Sequence, residues 1–141
     1  MMHLIKQVPF AGLDPESLHI EHMARGQVLF RFKVAGDASL VRPGGTISGP
    51  ALFALADLVA WSIVCSLKGP LPLAVTTHMS IDFLRKPDAK RDIMVKGETL
   101  KDGSRLVVAS VRLWAEGDEA RPVAGAAVTY SVPPPATPAK L

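Results

Sequence analysis

Residues 49–67 read GPALFALADLVAWSIVCSL, an apolar run that contains one charged residue, Asp57. No Lys, Arg or His lies within a helical turn of Asp57 along the chain. Burial of an unpaired carboxylate is unfavourable, so such a residue generally becomes neutral, acquires a partner or performs chemistry. Which of these applies to Asp57 decides most of what the sequence indicates about function.

The run is predicted to form one long helix. Ser48 suits the N-cap position, and Pro50 in the first turn has no N–H to leave unpaired. Lys-Gly-Pro at 68–70 supplies a cation, a glycine and a stop at the other end. Because the helix is apolar nearly all round, the rest of the protein should cover it on most sides.

The same run also has to be considered as a membrane span. Its ~18 residues reach only the lower limit for crossing a bilayer, and Asp57 would lie near the middle, where a charge is expensive. The sequence that follows predicts strands rather than further spans. We therefore expect no membrane partner, and a small membrane protein is the least favoured alternative.

Alternation of apolar and polar residues on both sides of the run predicts β-strands. Two precede the helix, at 18–23 and 28–34, and four follow in a meander, at 74–84, 93–100, 106–114 and 122–132. The strand at 74–84 is predicted to be half-buried, with its odd-numbered residues on one face and its even-numbered residues on the other. The fold class is therefore α+β, a curled antiparallel sheet of about six strands wrapped around one long apolar helix.

The chain of 141 residues is long enough for one domain. We place that domain at 17–132, after an irregular segment at 1–16 and before a Pro-rich tail at 133–141 that is expected to be disordered. With a net charge of +3 and no dense basic stripe, no nucleic-acid partner is expected. The single cysteine, Cys65, excludes an intramolecular disulfide. The first residues lack the apolar core of a signal peptide, so a cytoplasmic location is expected.

This order of elements resembles the hotdog fold, and the local residues resemble the PaaI-type acyl-CoA thioesterases of that fold over roughly residues 17–132. The resemblance rests on a Gly-rich entry into the helix, Leu-Ala-Asp at 55–57, Ile-Asp-Phe-Leu-Arg-Lys-Pro at 81–87, Asp-Gly-Ser-Arg-Leu at 102–106, and Ala126 and Thr129 in the last strand. It implies an enzyme that hydrolyses acyl-CoA in a site shared across a homodimer, with assembly into a dimer of dimers. It implies no cofactor.

The resemblance also implies roles for individual residues. The helix aspartate of the family, Asp57 here, is the base or nucleophile, and the N–H of a glycine at the helix start, Gly49 here, polarises the thioester carbonyl. A Ser or Thr on the next strand, Thr76 here, assists the water or the carboxylate. Two positions depart from the family: Ser48 stands where a His is common, and Arg42 where the ungapped match places an Asn.

Helix geometry supports a shared site independently of the resemblance. The first turn of a helix presents unpaired N–H groups and a partial positive charge, and Gly49 has no side chain to block a carbonyl there. Gly49 and Asp57 are eight residues apart, about 12 Å along the axis. One helix therefore cannot bring both to the same carbon. Unpaired edge strands of an open sheet give a further reason to expect a dimer.

Substrate contacts are predicted in two groups. Phe53 and Trp61 lie on the Asp57 face of the helix, where they would meet the acyl group. The phosphates of CoA would meet cations near the turns, although a solvated charged rim is the alternative for each of them: Arg85, Lys86, Lys101 and Arg105. His78 is expected on the same strand face as Thr76 and Asp82, where a structural role is favoured over catalysis. No set of residues has the spacing of a metal site.

Three alternatives stay open beside the thioesterase. Asp57 could be a structural carboxylate, hydrogen-bonded to a partner helix. The chain could be a non-catalytic acyl-CoA-binding or structural hotdog protein, which the departures at Ser48 and Arg42 make credible. A hotdog dehydratase is less favoured, because its pair of a His and a carboxylate is not visible. The sequence also leaves open whether Asp57 acts as a base or as a covalent nucleophile.

Overall fold

The long helix begins and ends where the sequence predicts. In the computed structural model, which describes residues 13–34, 41–42, 45–70 and 73–134, helix α1 spans Gly49–Lys68. The Ser48 hydroxyl caps its first turn by accepting a hydrogen bond from the Ala51 N–H at 3.2 Å. Gly69 ends it with a φ of 87°, a conformation that glycine adopts without steric cost, and its N–H donates to the Cys65 carbonyl at 2.9 Å.

The strands around α1 form one antiparallel sheet of six and a small ribbon of two. A single 3₁₀ turn at Pro15–Ser17 precedes them. The strands are β1 (Leu18–Ala24), β2 (Gln27–Phe32), β3 (Val41–Arg42), β4 (Thr46–Ile47), β5 (Val75–Phe83), β6 (Ile93–Asp102), β7 (Leu106–Ala115) and β8 (Ala124–Ser131). The ribbon pairs β3 with β4, in the stretch between the second predicted strand and the helix. The predicted irregular segment at 1–16 and the predicted disordered tail lie largely outside the described residues.

The order of the strands in the sheet is β1-β2-β6-β7-β8-β5. The hotdog fold is confirmed: one long apolar helix packs on a curled antiparallel sheet of six strands. The prediction of a four-strand meander after the helix is wrong for β5, which pairs with β8 and not with β6. Strand β6 instead pairs with β2 and β7, which joins the strands before and after the helix into one sheet. Strand β5 is left at an edge.

The core lies between α1 and the inner face of the sheet. The alternation predicted around 28–34 is confirmed, since Val28, Phe30, Phe32 and Val34 are each at most 1% exposed. The helix approaches the sheet closely over β6 because Gly97 has no side chain. A β-carbon at Gly97 would lie 2.6 Å from a methyl carbon of Val59.

One side of the first half of α1 is not covered by its own chain. Most of the helix is buried, but Pro50 and Phe53 are exposed, and Ala54 and Asp57 are half-buried. The prediction of cover on most sides is therefore confirmed, with this one side of the first half left open. The helix is long and apolar enough to span a membrane, yet 67% of its 18-residue apolar stretch is buried inside the protein, as in the core helix of a soluble protein.

Strand β5 is more exposed than predicted. Most of its nine residues are exposed, including Val75 and Phe83, and the neighbouring Leu73 and Leu84 are also exposed. The prediction of a half-buried strand is therefore wrong within one chain. The reason is its edge position, which gives it a neighbour on one side only.

A β-bulge also changes which face each β5 residue occupies. Thr76 pairs with Tyr130 and His78 pairs with Thr129, so one extra residue, Thr77, lies between the two pairs. Thr76 therefore faces the helix, as Met79 and Ile81 do further along. The prediction that Thr76 shares a face with His78 and Asp82 is wrong, because strict alternation does not continue through a bulge.

Candidate functional site

The Asp57 carboxylate is held by two hydroxyl groups from two strands. Thr76 Oγ1 on β5 and Tyr130 Oη on β8 each donate to Asp57 Oδ1, both at 2.6 Å. Asp57 is therefore not the unpaired carboxylate that the sequence alone suggests, and its partners come from its own chain. The structure brings Asp57 and Thr76 together, as the resemblance implies.

The second carboxylate oxygen of Asp57 is open. Among the described residues, Oδ2 accepts no hydrogen bond. Every fully buried side-chain oxygen or nitrogen in that part of the chain does have a hydrogen-bond partner, so Oδ2 is not fully buried. Oδ2 must therefore be accessible to solvent. One oxygen is fixed by the protein and the other can meet water or a ligand.

Tyr130 was missed by the sequence reasoning. Its side chain is 3% exposed, and burial raises its pKa, as do the hydrogen bond to Asp57 and the negative charge of that residue. A usable signal existed, because Tyr130 follows Ala126 and Val128 at alternate positions and so points inward. A buried phenol needs a hydrogen-bond partner, and Asp57 is the single carboxylate in the apolar run.

The start of α1 presents an unpaired N–H at Gly49. The first turn is otherwise capped, since Ala51 donates to the Ser48 hydroxyl and Leu52 to the Ser48 carbonyl. Gly49 N–H has no partner among the described residues. The ring of Phe83 lies beside it, since a β-carbon at Gly49 would be 3.5 Å from that ring. Because Ser48 accepts the hydrogen bonds of Ala51 and Leu52, it acts as the helix cap in this structure.

The predicted acyl contacts divide into one accessible and one inaccessible residue. Phe53 is 42% exposed on the open side of α1, near Asp57 along the helix. Trp61 is 1% exposed and belongs to the core. Within one chain Trp61 is therefore not accessible to a substrate, because the sheet covers the helix at that level. Arg42 lies in β3, where its backbone pairs with Thr46, and its side chain is outside the described part of the structure.

The four predicted cations are not one cluster within a chain. Lys101 and Arg105 flank the β6–β7 turn, at the end of the sheet where β5 begins, whereas Arg85 and Lys86 follow the end of β5. Strand β5 separates the two pairs by about 26 Å. Two of the cations are tethered by backbone carbonyls: Arg85 donates to Pro122 and Arg105 to Val132.

His78 lies apart from the Asp57 carboxylate. His78 is exposed and lies on the face of β5 opposite to Thr76, so it cannot reach Asp57. Within the described residues, no group of three or more His, Cys, Asp or Glu side chains is arranged to hold a metal ion. The chemistry available in this region is therefore that of a carboxylate, two hydroxyls and a helix N-terminus.

Comparison with known proteins identifies a sequence family and several similar structures. The sequence profile of the thioesterase superfamily matches residues 44–121. A solved structure of a protein from Silicibacter sp. TM1040, assigned as a thioesterase, is 40% identical, with 94% of this chain and 88% of that chain covered and a TM-score of 0.78. No curated protein matched.

Two further structures are similar. A hypothetical thioesterase from Streptococcus pneumoniae TIGR4, solved with coenzyme A, is 29% identical, with 84% and 88% of the two chains covered and a TM-score of 0.73. The same protein has been solved with alanine in place of an aspartate and, separately, of a threonine. A variant of the phenylacetic acid degradation protein PaaI from Thermus thermophilus is 24% identical, covering 85% and 100%, with a TM-score of 0.72. At that identity the likeness shows the fold alone.

Proposed function

This chain belongs to the thioesterase superfamily, and on that premise we propose that it hydrolyses acyl-CoA thioesters to free carboxylic acids and CoA. The observation that carries the proposal is the Asp57 carboxylate, with one oxygen held by two hydroxyls and the other open to solvent. A carboxylate fixed in this way on a packed helix suits a general base or a nucleophile.

The reaction needs an attacking oxygen and a stabilised oxyanion. As a base, Oδ2 of Asp57 takes a proton from the water that attacks the thioester carbonyl carbon. As a nucleophile, Oδ2 attacks that carbon itself, departure of the thiolate leaves a mixed anhydride, and water then hydrolyses the anhydride. In both routes the carbonyl oxygen becomes an oxyanion that the Gly49 N–H and the positive end of the helix stabilise. The C–S bond then breaks, and CoA leaves as a thiolate that takes up a proton.

The proposed site lies between two copies of the chain. Gly49 and Asp57 of one helix are about 12 Å apart along its axis, which is too far for both to act on one carbonyl group. We therefore propose that each site contains Asp57 of one subunit and Gly49 of the partner subunit. The open side of α1, where Phe53 is exposed, supplies an apolar surface for the acyl chain and for the neighbouring helix.

The outer edge of β5 supports this pairing. It is an unpaired strand edge with exposed apolar side chains, which proteins commonly bury against a second strand. A two-fold antiparallel pairing sets the start of one β5 against the end of the other. Asp57 and Thr76 lie near the start, and Phe83 and Gly49 lie near the end. The pairing therefore directs Asp57 toward Gly49 of the partner subunit.

The same pairing explains the separated cations. It brings Lys101 and Arg105 of one subunit toward Arg85 and Lys86 of the partner subunit. Together they would form one basic rim for the phosphates of CoA. The bound coenzyme A of the Streptococcus relative supports CoA as the carrier. Assembly of two such dimers into a tetramer, and a cytoplasmic location, remain part of the proposal.

Turnover of a panel of acyl-CoA esters tests the chemistry. We expect hydrolysis by the wild type, and a loss of about 100-fold or more in kcat for Asp57→Asn. Asp118→Asn is the matched control, because its carboxylate pairs with Arg121 at the surface, in the turn before β8, and makes no contact with Asp57. Binding of CoA esters without turnover at any chain length would favour the non-catalytic alternative, and so would equal rates for wild type and Asp57→Asn.

Subunit complementation tests the shared site. Gly49→Pro, combined with Pro50→Ala so that the new proline is not followed by another, removes the proposed oxyanion donor yet suits the first helical position, and the extended backbone of Ser48 is compatible with a following proline. Each of the two inactive variants, Gly49→Pro/Pro50→Ala and Asp57→Asn, supplies the residue that the other lacks. We expect a refolded equal mixture to regain about a quarter of wild-type activity, since half of its dimers are mixed and each contains one intact site. A mixture as inactive as its components would rule out the shared site.

A further inference from the structure

The single tyrosine of the chain is buried against the proposed reactive carboxylate. Tyr130 lies on the inner face of β8 and is 3% exposed. Its hydroxyl donates to Asp57 Oδ1, and its Cα partner across the sheet is Thr76, whose hydroxyl donates to the same oxygen. The contact joins residues 73 positions apart in the chain.

We infer that Tyr130 is a positioning residue for the thioesterase reaction: with Thr76 it occupies Oδ1 of Asp57 and so selects Oδ2 as the oxygen that meets water or the thioester. This inference rests on the proposed function. It adds a residue that is absent from the match with the family and assigns different tasks to the two carboxylate oxygens.

The geometry explains why two donors are needed. The terminal torsion of an aspartate is broad, so a carboxylate with one weak partner can turn and exchange its two oxygens. Two charge-assisted hydrogen bonds at 2.6 Å, from β5 and from β8, bind the same oxygen from different directions. Oδ1 is then shielded, and Oδ2 keeps one direction relative to the helix.

Tyr130 is the more firmly held of the two donors. It lies on β8, which has a neighbouring strand on each side, and its ring is packed in the core. Thr76 lies on the edge strand and is exposed. The position of Oδ1 is therefore set by the phenol, and Thr76 completes the arrangement. Small displacements of a reacting group can cost about 100-fold in rate, so this constraint should be visible in kcat.

Tyr130→Phe tests the inference by kinetics, because it removes the hydroxyl and keeps the ring. We expect kcat to fall roughly 10- to 100-fold with KM within about twofold of the wild-type value, as for a group that acts in the transition state. Thr129→Val is the matched control: it removes a hydroxyl from the adjacent residue, which points to the opposite face of β8. We expect that control to keep the wild-type kcat.

A double-mutant cycle separates positioning from an independent role. If Tyr130 acts only through Asp57, then Tyr130→Phe should cause no further loss in the residual turnover of Asp57→Asn. An equal fractional loss in both backgrounds would overturn the inference. So would an unchanged kcat in a Tyr130→Phe protein that melts at the wild-type temperature.

Tyrosine ionisation gives a readout that does not depend on activity or on a new core variant. Because the chain has one tyrosine, tyrosinate absorbance reports on Tyr130 alone. Removal of the carboxylate charge in Asp57→Asn should let Tyr130 ionise at a lower pH than in the wild type, whereas Asp118→Asn should leave the titration unchanged. Identical titrations of wild type and Asp57→Asn, both shown by circular dichroism to stay folded over the titrated range, would overturn the inference.

The results also distinguish this inference from the proposed function. Loss of turnover in Asp57→Asn with full turnover in Tyr130→Phe would retain the thioesterase and reject the positioning role. Absence of turnover in the wild type, with a titration that depends on Asp57, would reject the thioesterase and retain the contact as structural. A fall of kcat in both single variants, with no further fall when the two changes are combined, supports both the thioesterase activity and the positioning role.

Discussion

Thr76 donates a 2.6 Å hydrogen bond to Asp57 across 19 positions of sequence, and it reaches the helix because a bulge turns it to the inner face of β5. Without the extra residue, Thr76 would face outward with His78. The bulge lies beside the proposed site, as bulges often do, and it allows an edge strand to contribute a side chain to the interior.

The first prediction concerns this hydroxyl. Thr76→Val keeps the β-branched shape that suits a strand and removes one of the two donors to Oδ1. We expect kcat to fall about 10-fold, with the unfolding temperature almost unchanged because Thr76 is exposed. Steady-state kinetics on an acyl-CoA ester measures it. Thr77→Val is the control at the bulge, and a similar fall there would attribute the effect to the backbone and not to the hydroxyl.

The second prediction concerns the clearance between helix and sheet. Gly97→Ala would place a β-carbon 2.6 Å from Val59 and 3.3 Å from Ile63, which is too close without a shift of the helix. We expect a loss of about 1–3 kcal/mol in the free energy of unfolding, as for other overpacked cores. Denaturant titration measures it.

Gly125→Ala provides the comparison for Gly97, since it also lies in a strand and a β-carbon there meets no atom within 4 Å. We expect its stability to equal or slightly exceed that of the wild type. Shortening Val59 to Ala in the Gly97→Ala background should recover part of the loss. No recovery would mean that the helix contact is not the cause.

The third prediction concerns the edge of β5. Val75 is 57% exposed in one chain, and the proposed dimer would bury it. Val75→Arg should therefore shift the mass measured by light scattering from dimer toward monomer and lower activity by about 10-fold or more, because burial of an unpaired charge is unfavourable. Leu100→Arg, at an exposed leucine of the inner strand β6, should change neither. A dimer that survives Val75→Arg unchanged would place the interface elsewhere.

The fourth prediction concerns alkaline pH. The pKa of Tyr130 is raised in the folded protein, by burial first and then by Asp57, above the value of about 10 in an unfolded chain. A neutral Tyr130 thus contributes stability that is fully present below pH 10 and is lost as the pH rises beyond it, since only the unfolded chain then releases the proton readily. Melting temperatures between pH 9 and 11 should fall more steeply for wild type than for Tyr130→Phe. If the melting temperatures of the two proteins fall in parallel with pH, the raised pKa of Tyr130 is contradicted.

Much of the fold could be predicted because its signals are local. The helix has a cap at Ser48, a stop at Gly69 and an apolar run between them, and the inner face of β2 follows from alternation. The partner of β5 could not be predicted, because pairing with β8 depends on how the whole sheet closes. The exposure of β5 could not be predicted either, since alternation does not distinguish an edge strand from a central one.

In the candidate site, too, the residues with local sequence signals could be predicted, and those that depend on how the sheet closes could not. Asp57 is conspicuous as the one charge in an apolar helix, and Thr76 could be identified by resemblance although its predicted face was wrong. Tyr130 required knowledge of which strand lies over Asp57. Trp61 shares a helix face with Asp57, but a helical wheel does not show where the covering sheet begins, so its burial was not foreseen.

A missing side chain on β6 contributes to the reach of the Asp57 carboxylate. Val59 is two residues beyond Asp57 on α1, and the space left by Gly97 lets the helix settle at that level. A single methyl group there would lift the helix and lengthen the contacts to both hydroxyls. The position of the Asp57 carboxylate thus depends partly on a residue without a side chain, at a position that carries no chemistry of its own.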